Sequence, residues 1–439
     1  MRSNQTRRKF IATAISGAAA SIAASAVFAS GKPATTDEQV SAGKTADTAS
    51  DRVASSEFII FPWGGMPDDH GWGKIPDNGD KGQWGEFTDM NEVMRDLYDC
   101  GFNTSGFTQV RNLKHARNNH LMGILEPHIY LRPEATQEEA DDIIKKMMDS
   151  IADPEDRKAV YAMRVWDEPH PAFFPQLNIW SEAVKKQGVT PYINMLPIHY
   201  GDEYYMNDYL DQFVKTCNPP FISYDNYTLL SQPSGELFYV NLEMIRNKSL
   251  QYEIPFWNVI LGNAHFNYTE PSEGSLALQV YATLAYGGRG IGYFTFYTPH
   301  VGNYRLAAID RFGYRTKTWE MIRSINLQIH ALAPVYCKLK SINVFHTDHI
   351  PRISQGVQSA KLVESISDAS LLVGEFTDAD GKPYIMVVNK NMQSSVNFDV
   401  QFKEKGRIML ISQFGQGLWS FDGEQKWLAP GCGALLTVD

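Results

Sequence analysis

From residue 57 onward, short apolar runs take turns with longer stretches in which hydrophobic side chains recur at helical spacing. The runs at 57–63, 102–107, 122–130, 160–166, 190–196, 221–227, 255–261 and 290–297 read as buried strands. Patterns at 87–101, 110–120, 136–150, 175–187, 209–217, 237–250, 275–286 and 318–332 predict the helices that follow them. Gly101 closes the first helix as a C-cap residue, and Thr136 with Glu139 has the spacing of a capping box for the third. Eight strand–helix units at roughly 30-residue spacing predict an α/β fold, a (β/α)8 TIM barrel of the usual ~250-residue size. A doubly wound sheet is the rival, but no glycine-rich phosphate loop follows the first strand.

Beyond residue 340 the texture changes to short alternating runs at 341–345, 369–375, 384–389, 396–402, 406–411 and 433–438. Turn pairs such as Asp380-Gly381, Asp422-Gly423 and Pro430-Gly431 separate several of them. This predicts a C-terminal antiparallel β-sandwich, with the barrel over 57–337 and the sandwich over 338–439.

In such a barrel the reacting groups come from the C-terminal tips of the strands. The fourth unit carries the sharpest signal. Val160 to Pro171 reads VYAMRVWDEPHP, an apolar run that stops at two adjacent carboxylates, Asp167 and Glu168. The other tips offer Trp63, Asp68, Asp69, Thr108, Glu126, His128, Asn194, Asp225, Tyr227, Asn258, His265, Tyr297 and His300. Acids, amides and rings dominate. No lysine stands at a tip for Schiff-base chemistry, and no phosphate grip follows strands seven and eight. Two carboxylates facing a ring-lined cleft suit glycoside hydrolysis: one donates a proton to the leaving oxygen, the other is ionised to attack, activate water or steady the substrate. Glu168, beside Trp166 and Pro169, is the expected donor, with Asp167 assisting and Asp225 as a candidate second acid. Trp63, Glu126, His128, Trp166, Asn194, Tyr227, Trp257, Asn258 and Tyr297 are the expected substrate-binding residues.

Composition adds limits. With 9 Trp, 21 Tyr and 23 Phe the chain has rings to spare for stacking on sugars. A net charge of −10 and the lack of a basic stripe argue against nucleic acid as a partner. Cys100, Cys217, Cys337 and Cys432 show no metal-ligand spacing, so a structural zinc is not expected, and the reading as a whole requires no cofactor; Cys337 and Cys432 lie in the same C-terminal region and are candidates to pair after export. At the N-terminus, Thr6-Arg7-Arg8-Lys9-Phe10 has the twin-arginine pattern, and Val27-Phe28-Ala29 ends a weakly apolar run in a small-residue cleavage site. The expectation is a signal peptide over 1–29, a polar tether over 30–56, and a periplasmic or secreted mature chain with no stable membrane insertion.

The barrel resembles the large clan of retaining glycosidases whose acid/base is a Glu after strand four, the family 42-type β-galactosidases in particular. VWDEP (165–169), LQVYATLAYGGRGIGYFTFY (278–297) and the terminal LAPGCGALLTV (428–438) carry the resemblance, which spans about 57–439. It implies the acid/base role for Glu168. Two departures stand out. The clan places Asn before its acid/base where this chain has Asp167, and it places a Glu nucleophile after strand seven where this chain has no acid until Glu270. The adjacent Asp-Glu pair is similar instead to the substrate-assisted N-acetylhexosaminidases of families 20 and 123. In those, the Asp orients a 2-acetamido group, which stands in for a nucleophile. An oligosaccharide or glycoside is the expected partner. The alternatives are a non-catalytic carbohydrate-binding protein on a degenerate barrel, and a metal-dependent barrel hydrolase or isomerase using His128, His265 or His300 with Glu126 or Asp225.

Overall fold

A computed structural model of the chain describes residues 58–64, 90–127, 129, 134–198, 201–231, 235–415 and 417–439. The segments expected to be a signal peptide and a tether, Asp68, Asp69, His128 and the start of the first predicted helix lie outside the described residues. Eight parallel strands form one sheet: β1 (Ile59–Trp63), β2 (Thr104–Thr108), β3 (Met122–Leu125), β4 (Val160–Asp167), β5 (Thr190–Met195), β6 (Ile222–Asp225), β7 (Phe256–Leu261) and β8 (Gly290–Phe294). Neighbours pair in sequence order from β2 to β8, and β8 pairs back onto β1. The fold is a TIM barrel.

The seam of the sheet lies between β1 and β2. Pro62 has no N–H to give to a ladder. Asn103 closes the gap with its side chain: Nδ2 donates to the Phe58 carbonyl at 2.8 Å, and Oδ1 accepts from the Ile60 N–H at 2.8 Å. Gly106, at φ +69°, brings its backbone so close that a Cβ there would meet the Pro62 carbonyl at 2.2 Å, so only glycine fits.

Helices α1 (Met90–Asp99), α2 (Leu113–Asn118), α3 (Gln137–Asp149), α4 (Pro154–Lys158), α5 (Phe174–Lys186), α6 (Asp211–Cys217), α7 (Glu236–Tyr252), α8 (Glu273–Ala285) and α9 (Lys317–Tyr336) follow the strands. The patterned helices lie within a few residues of their expected places. Thr136 caps α3 by accepting from the Glu139 N–H at 3.2 Å. Two features differ from expectation. The short α4, started by Asp153 and Pro154, has no hydrophobic repeat to betray it. The helix before Cys217 is entered through a π-helical segment, Tyr204–Leu210, which buries Tyr205 and Tyr209 one after the other.

After α9 the chain forms an antiparallel sheet of six strands that includes Lys340–His346, Leu371–Thr377, Pro383–Asn389, Ile408–Ile411 and Gly433–Val438. Alternation along these strands serves two cores. Leu372, Met386, Val388 and Leu435 join the barrel's core, while Val373, Ile385, Val387 and Leu436 face a second layer with Phe398, Val400 and Phe402. Gly374 marks the closest approach: a Cβ there would sit 2.0 Å from the Ala285 carbonyl at the end of α8. Cys432 is an unpaired thiol, so the Cys337–Cys432 disulfide considered from sequence does not form.

His346 is fully buried where sandwich meets barrel. Its Nε2 faces the Tyr286 hydroxyl at 3.0 Å, and the Tyr239 ring stands edge-on at 5.1 Å. Burial, and then Lys390, push its pKa down to about 3. The unfolded chain therefore takes up the proton first, near pH 6.5, and the folded one only near pH 3. Stability is intact above about pH 6.5 and is lost as the pH falls, by up to about 1.4 kcal/mol per pH unit from this group alone. Urea titrations between pH 7 and pH 4 check this: His346→Gln should flatten the acid slope, and an unchanged slope would refute the assignment.

Candidate active site

Strand register decides which side chains reach the barrel's interior. Phe61, Trp257, Gly290 and Gly292 meet inside, and Phe107 and Tyr192 join them. Counting up from these, the inward residues near the C-terminal mouth are Trp63, Glu126, Arg164, Asn194, Asp225 and Phe294. On β4 plain alternation from Ala162 and Arg164 would bring Trp166 inward and turn Asp167 out. A bulge intervenes at Val165: Arg164 pairs with Tyr192, Trp166 with Ile193, and Asp167 with Asn194. The extra residue moves Asp167 onto the inner face beside Asn194 and sends Trp166 to the outer one. Bulges re-aim side chains in this way next to functional sites.

Two carboxyl groups then meet one amide, and a third lies beside them. Asn194, fully buried, donates from Nδ2 to Asp167 Oδ1 at 3.3 Å and to Asp225 Oδ1. Its Oδ1 accepts from the Ser223 hydroxyl at 2.8 Å and the Tyr192 hydroxyl at 3.3 Å. Glu168 follows with φ +47°, a left-handed conformation that costs a non-glycine residue about 1 kcal/mol or more and is held by its N–H to the Asn194 carbonyl at 2.8 Å. The Glu168 side chain is exposed at the mouth and within hydrogen-bonding reach of Asp225. Burial, followed by the nearby Asp167 and Glu168 charges, drives the Asp225 carboxyl well above the usual range. Burial also lifts Asp167, against the pull of Arg164, to about 7.

Arg164 stands one inward position below Asp167 on β4. Its Nη1 donates to Glu126 Oε1 at 2.7 Å, and its guanidinium lies 5.0 Å from the Phe107 ring and 5.8 Å from the Trp63 ring. The other half of the mouth is aromatic. Phe294 packs on Trp63 at 5.3 Å and on Tyr227 at 5.4 Å. His265 stacks flat on Tyr304 at 4.4 Å and touches Tyr268 at 4.8 Å. Burial lowers the His265 pKa to about 4, so the ring is neutral.

Of the residues expected from sequence, Asp167, Glu168, Asp225, Asn194, Glu126, Trp63 and Tyr227 come together here. Others go elsewhere. Trp257 is a plug deep in the barrel, stacked on Phe221 at 3.9 Å. Asn258 points outward and donates to Thr283 of α8 at 2.8 Å. Trp166 lies on the outer face of β4. Tyr297 lines a separate cavity of about 270 Å³ with Glu92, Asp96 and Arg315. Period-two alternation gives each of these an even chance of facing inward, and no local signal marks which face wins. Glu270, the nearest acid after β7, is exposed and ion-paired with Arg305 at 2.9 Å. The histidines weighed as ligands part company too: His265 is in the aromatic half, and His300 lies against Arg311. Among the described residues no three His, Cys, Asp or Glu side chains converge as a metal site. Sequence reasoning missed Arg164, Ser223 and Tyr192. The inward alternation of β4 to β6 would have found them once the register was known.

A carboxyl held protonated by burial has a stability cost at high pH. The folded Asp167 keeps its proton up to about pH 7, whereas the unfolded one loses it near pH 4, so stability falls as the pH rises between the two. Asp167→Asn removes that cost and should stabilise the protein by about 4 kcal/mol at pH 8, with little effect at pH 4. Thermal melts at the two pH values measure this, and equal shifts at both would contradict it.

No family description matches the chain, and no curated protein does. Solved structures are similar in part. A β-galactosidase from the psychrophilic Marinomonas ef1 is 10% identical over 65% of this chain and 63% of its own, with a TM-score of 0.45. This chain therefore spans just under two thirds of that enzyme's length. An endo-β-1,4-mannanase from Thermotoga petrophila is 10% identical over 79% of this chain and 98% of its own, with a TM-score of 0.45. The exo-β-1,4-mannosidase Op5Man5 from Opitutaceae bacterium strain TAV5 is 10% identical over 63% and 60%, with a TM-score of 0.44.

Proposed function

We propose that the protein is a glycoside hydrolase in which Glu168 is the general acid/base. The observation that carries the reading is the meeting of Asp167 and Asp225 at Asn194, with Glu168 against Asp225, at the barrel mouth beside a set of aromatic rings. Glu168 is the exposed member and faces incoming substrate. Asp225 is buried, and the proton it shares with Glu168 passes through Glu168 to the glycosidic oxygen as the C–O bond breaks. Asp167, once ionised, offsets positive charge developing at the anomeric carbon. The rings take the apolar face of the sugar.

The spacing of the acids favours one version of this chemistry. Asp225 and Glu168 are in hydrogen-bonding reach, closer than the about 5–5.5 Å of a retaining pair or the about 6.5–9.5 Å of an inverting one. That suits Asp225 as a proton partner better than as a nucleophile or a holder of water. With no acid at the tip of β7, the nucleophile left is one carried by the substrate, a 2-acetamido group steadied by Asp167. Export through the twin-arginine pattern of Arg7 and Arg8 is part of the same proposal.

The test is turnover of aryl glycosides, with and without a 2-acetamido group, followed by release of the chromophore and the free sugar. Hydrolysis confined to the 2-acetamido sugars supports substrate assistance; hydrolysis of plain hexosides supports an enzyme nucleophile. Saccharide binding without any hydrolysis would leave a carbohydrate-binding protein in its place. Export is tested by cell fractionation, in which Arg7→Lys with Arg8→Lys should hold the chain in the cytoplasm.

A further inference from the structure

The acids at the mouth stand on a polar layer that no expected role explains. Ser223 and Tyr192 are fully buried, one residue pair below, on β6 and β5. Their hydroxyls lie 3.1 Å apart, and both point at Asn194 Oδ1. A carboxamide has two different ends, an oxygen that only accepts and an NH2 that only donates. With Oδ1 taken by two hydroxyls, Nδ2 must face Asp167 and Asp225. Turned over, the amide would put its oxygen against two carboxyl groups, and the two hydroxyls would lose the acceptor they now share. The oxygen of Asp225 that accepts from Nδ2 is then the one without a proton.

We propose that Ser223 and Tyr192 are positioning residues that lock the Asn194 amide and thereby place the proton shared by Asp225 and Glu168 on the remaining oxygen of Asp225, directed at Glu168. The proposal rests on the hydrolase reading for its purpose, but its geometry stands without it. The groups around the shared proton are Asp167 and Glu168 from β4 and its tip, Arg164 behind them, Tyr209 after β5, and Tyr227 and Tyr268 from the loops after β6 and β7. None of these supplies a second hydroxyl pair to the amide oxygen. Burial and the neighbouring Asp167 and Glu168 raise the Asp225 carboxyl, which favours its protonated form.

The experiment follows isotope-labelled aspartate carboxyl resonances against pH in the full chain, with Asp167→Asn and Asp225→Asn giving the assignments. No turnover is needed, so the result is independent of whether a substrate is found. Ser223→Ala and Tyr192→Phe, alone and together, delete hydroxyls without adding bulk. Freed to turn, the amide exposes its oxygen to the acids, and the Asp167 and Asp225 titrations should move up by about one pH unit in the double variant. The single variants should move them less. Titrations that coincide with wild type in both single variants and the double variant would overturn the proposal. If the double variant does not fold, the single variants decide. Failure of the hydrolase reading shows separately, as absent turnover in a wild-type protein whose aspartates still respond to the hydroxyl deletions.

Discussion

Glu168→Gln is expected to lower kcat on alkyl glycosides by about 10²–10⁴-fold with KM little changed. Gln keeps the size and hydrogen-bonding capacity of the side chain but has no proton to give. The loss should shrink for leaving groups that depart without protonation, such as dinitrophenolates, because the missing proton then matters less to the barrier. This dependence on leaving group separates a lost acid from a damaged fold. A Gln variant that cleaves alkyl glycosides within about tenfold of wild type would remove Glu168 from the acid role.

The largest loss of stability is expected far from the mouth, in the sandwich. Glu375 is fully buried, yet its carboxylate has a donor for every position. Oε1 accepts from the Leu362 and Val363 N–H groups at 2.6 and 2.9 Å, and Oε2 from the Lys361 N–H and Asn343 Nδ2, both at 2.8 Å. Three of the four donors are backbone groups at the start of the second layer, and they cannot turn to other partners. Glu375→Ala strands all of them and should cost about 4–6 kcal/mol, at the upper end for a single substitution. Glu375→Gln keeps one acceptor and should fall between. Denaturant unfolding gives the size. Hydrogen exchange at Leu362 and Val363 gives the place, since those two amides should lose protection first. A loss below about 1 kcal/mol would mean that water replaces the carboxylate without difficulty.

Much of the architecture was legible in the chain because most strands of the barrel lie in largely apolar runs and most of the helices repeat on one face. The acids at the tips of β4 and β6 were legible for the same reason: a charge that ends an apolar run stands where the buried strand meets the barrel mouth. What escaped was direction. Trp257 and Asn258 are adjacent on β7, and one fills the barrel while the other binds α8. Tyr297 lies just past β8 but turns toward α1. These outcomes depend on register with a neighbouring strand, a long-range property that spacing within one strand does not encode. Ser223 and Tyr192 escaped for another reason. A serine and a tyrosine in an apolar run look like tolerated core residues until the amide they face is known.

The Val165 bulge makes the chemistry of β4 a matter of length as much as of letters. Shortening that strand by one residue before the motif would leave VWDEP intact to a pattern search. It would also rotate an indole into the cleft and present an aspartate to the flanking helices. Kindred chains that share the words but lack the extra step should therefore be inert, and a silent member of such a lineage is best sought by counting positions from Arg164 to the acids.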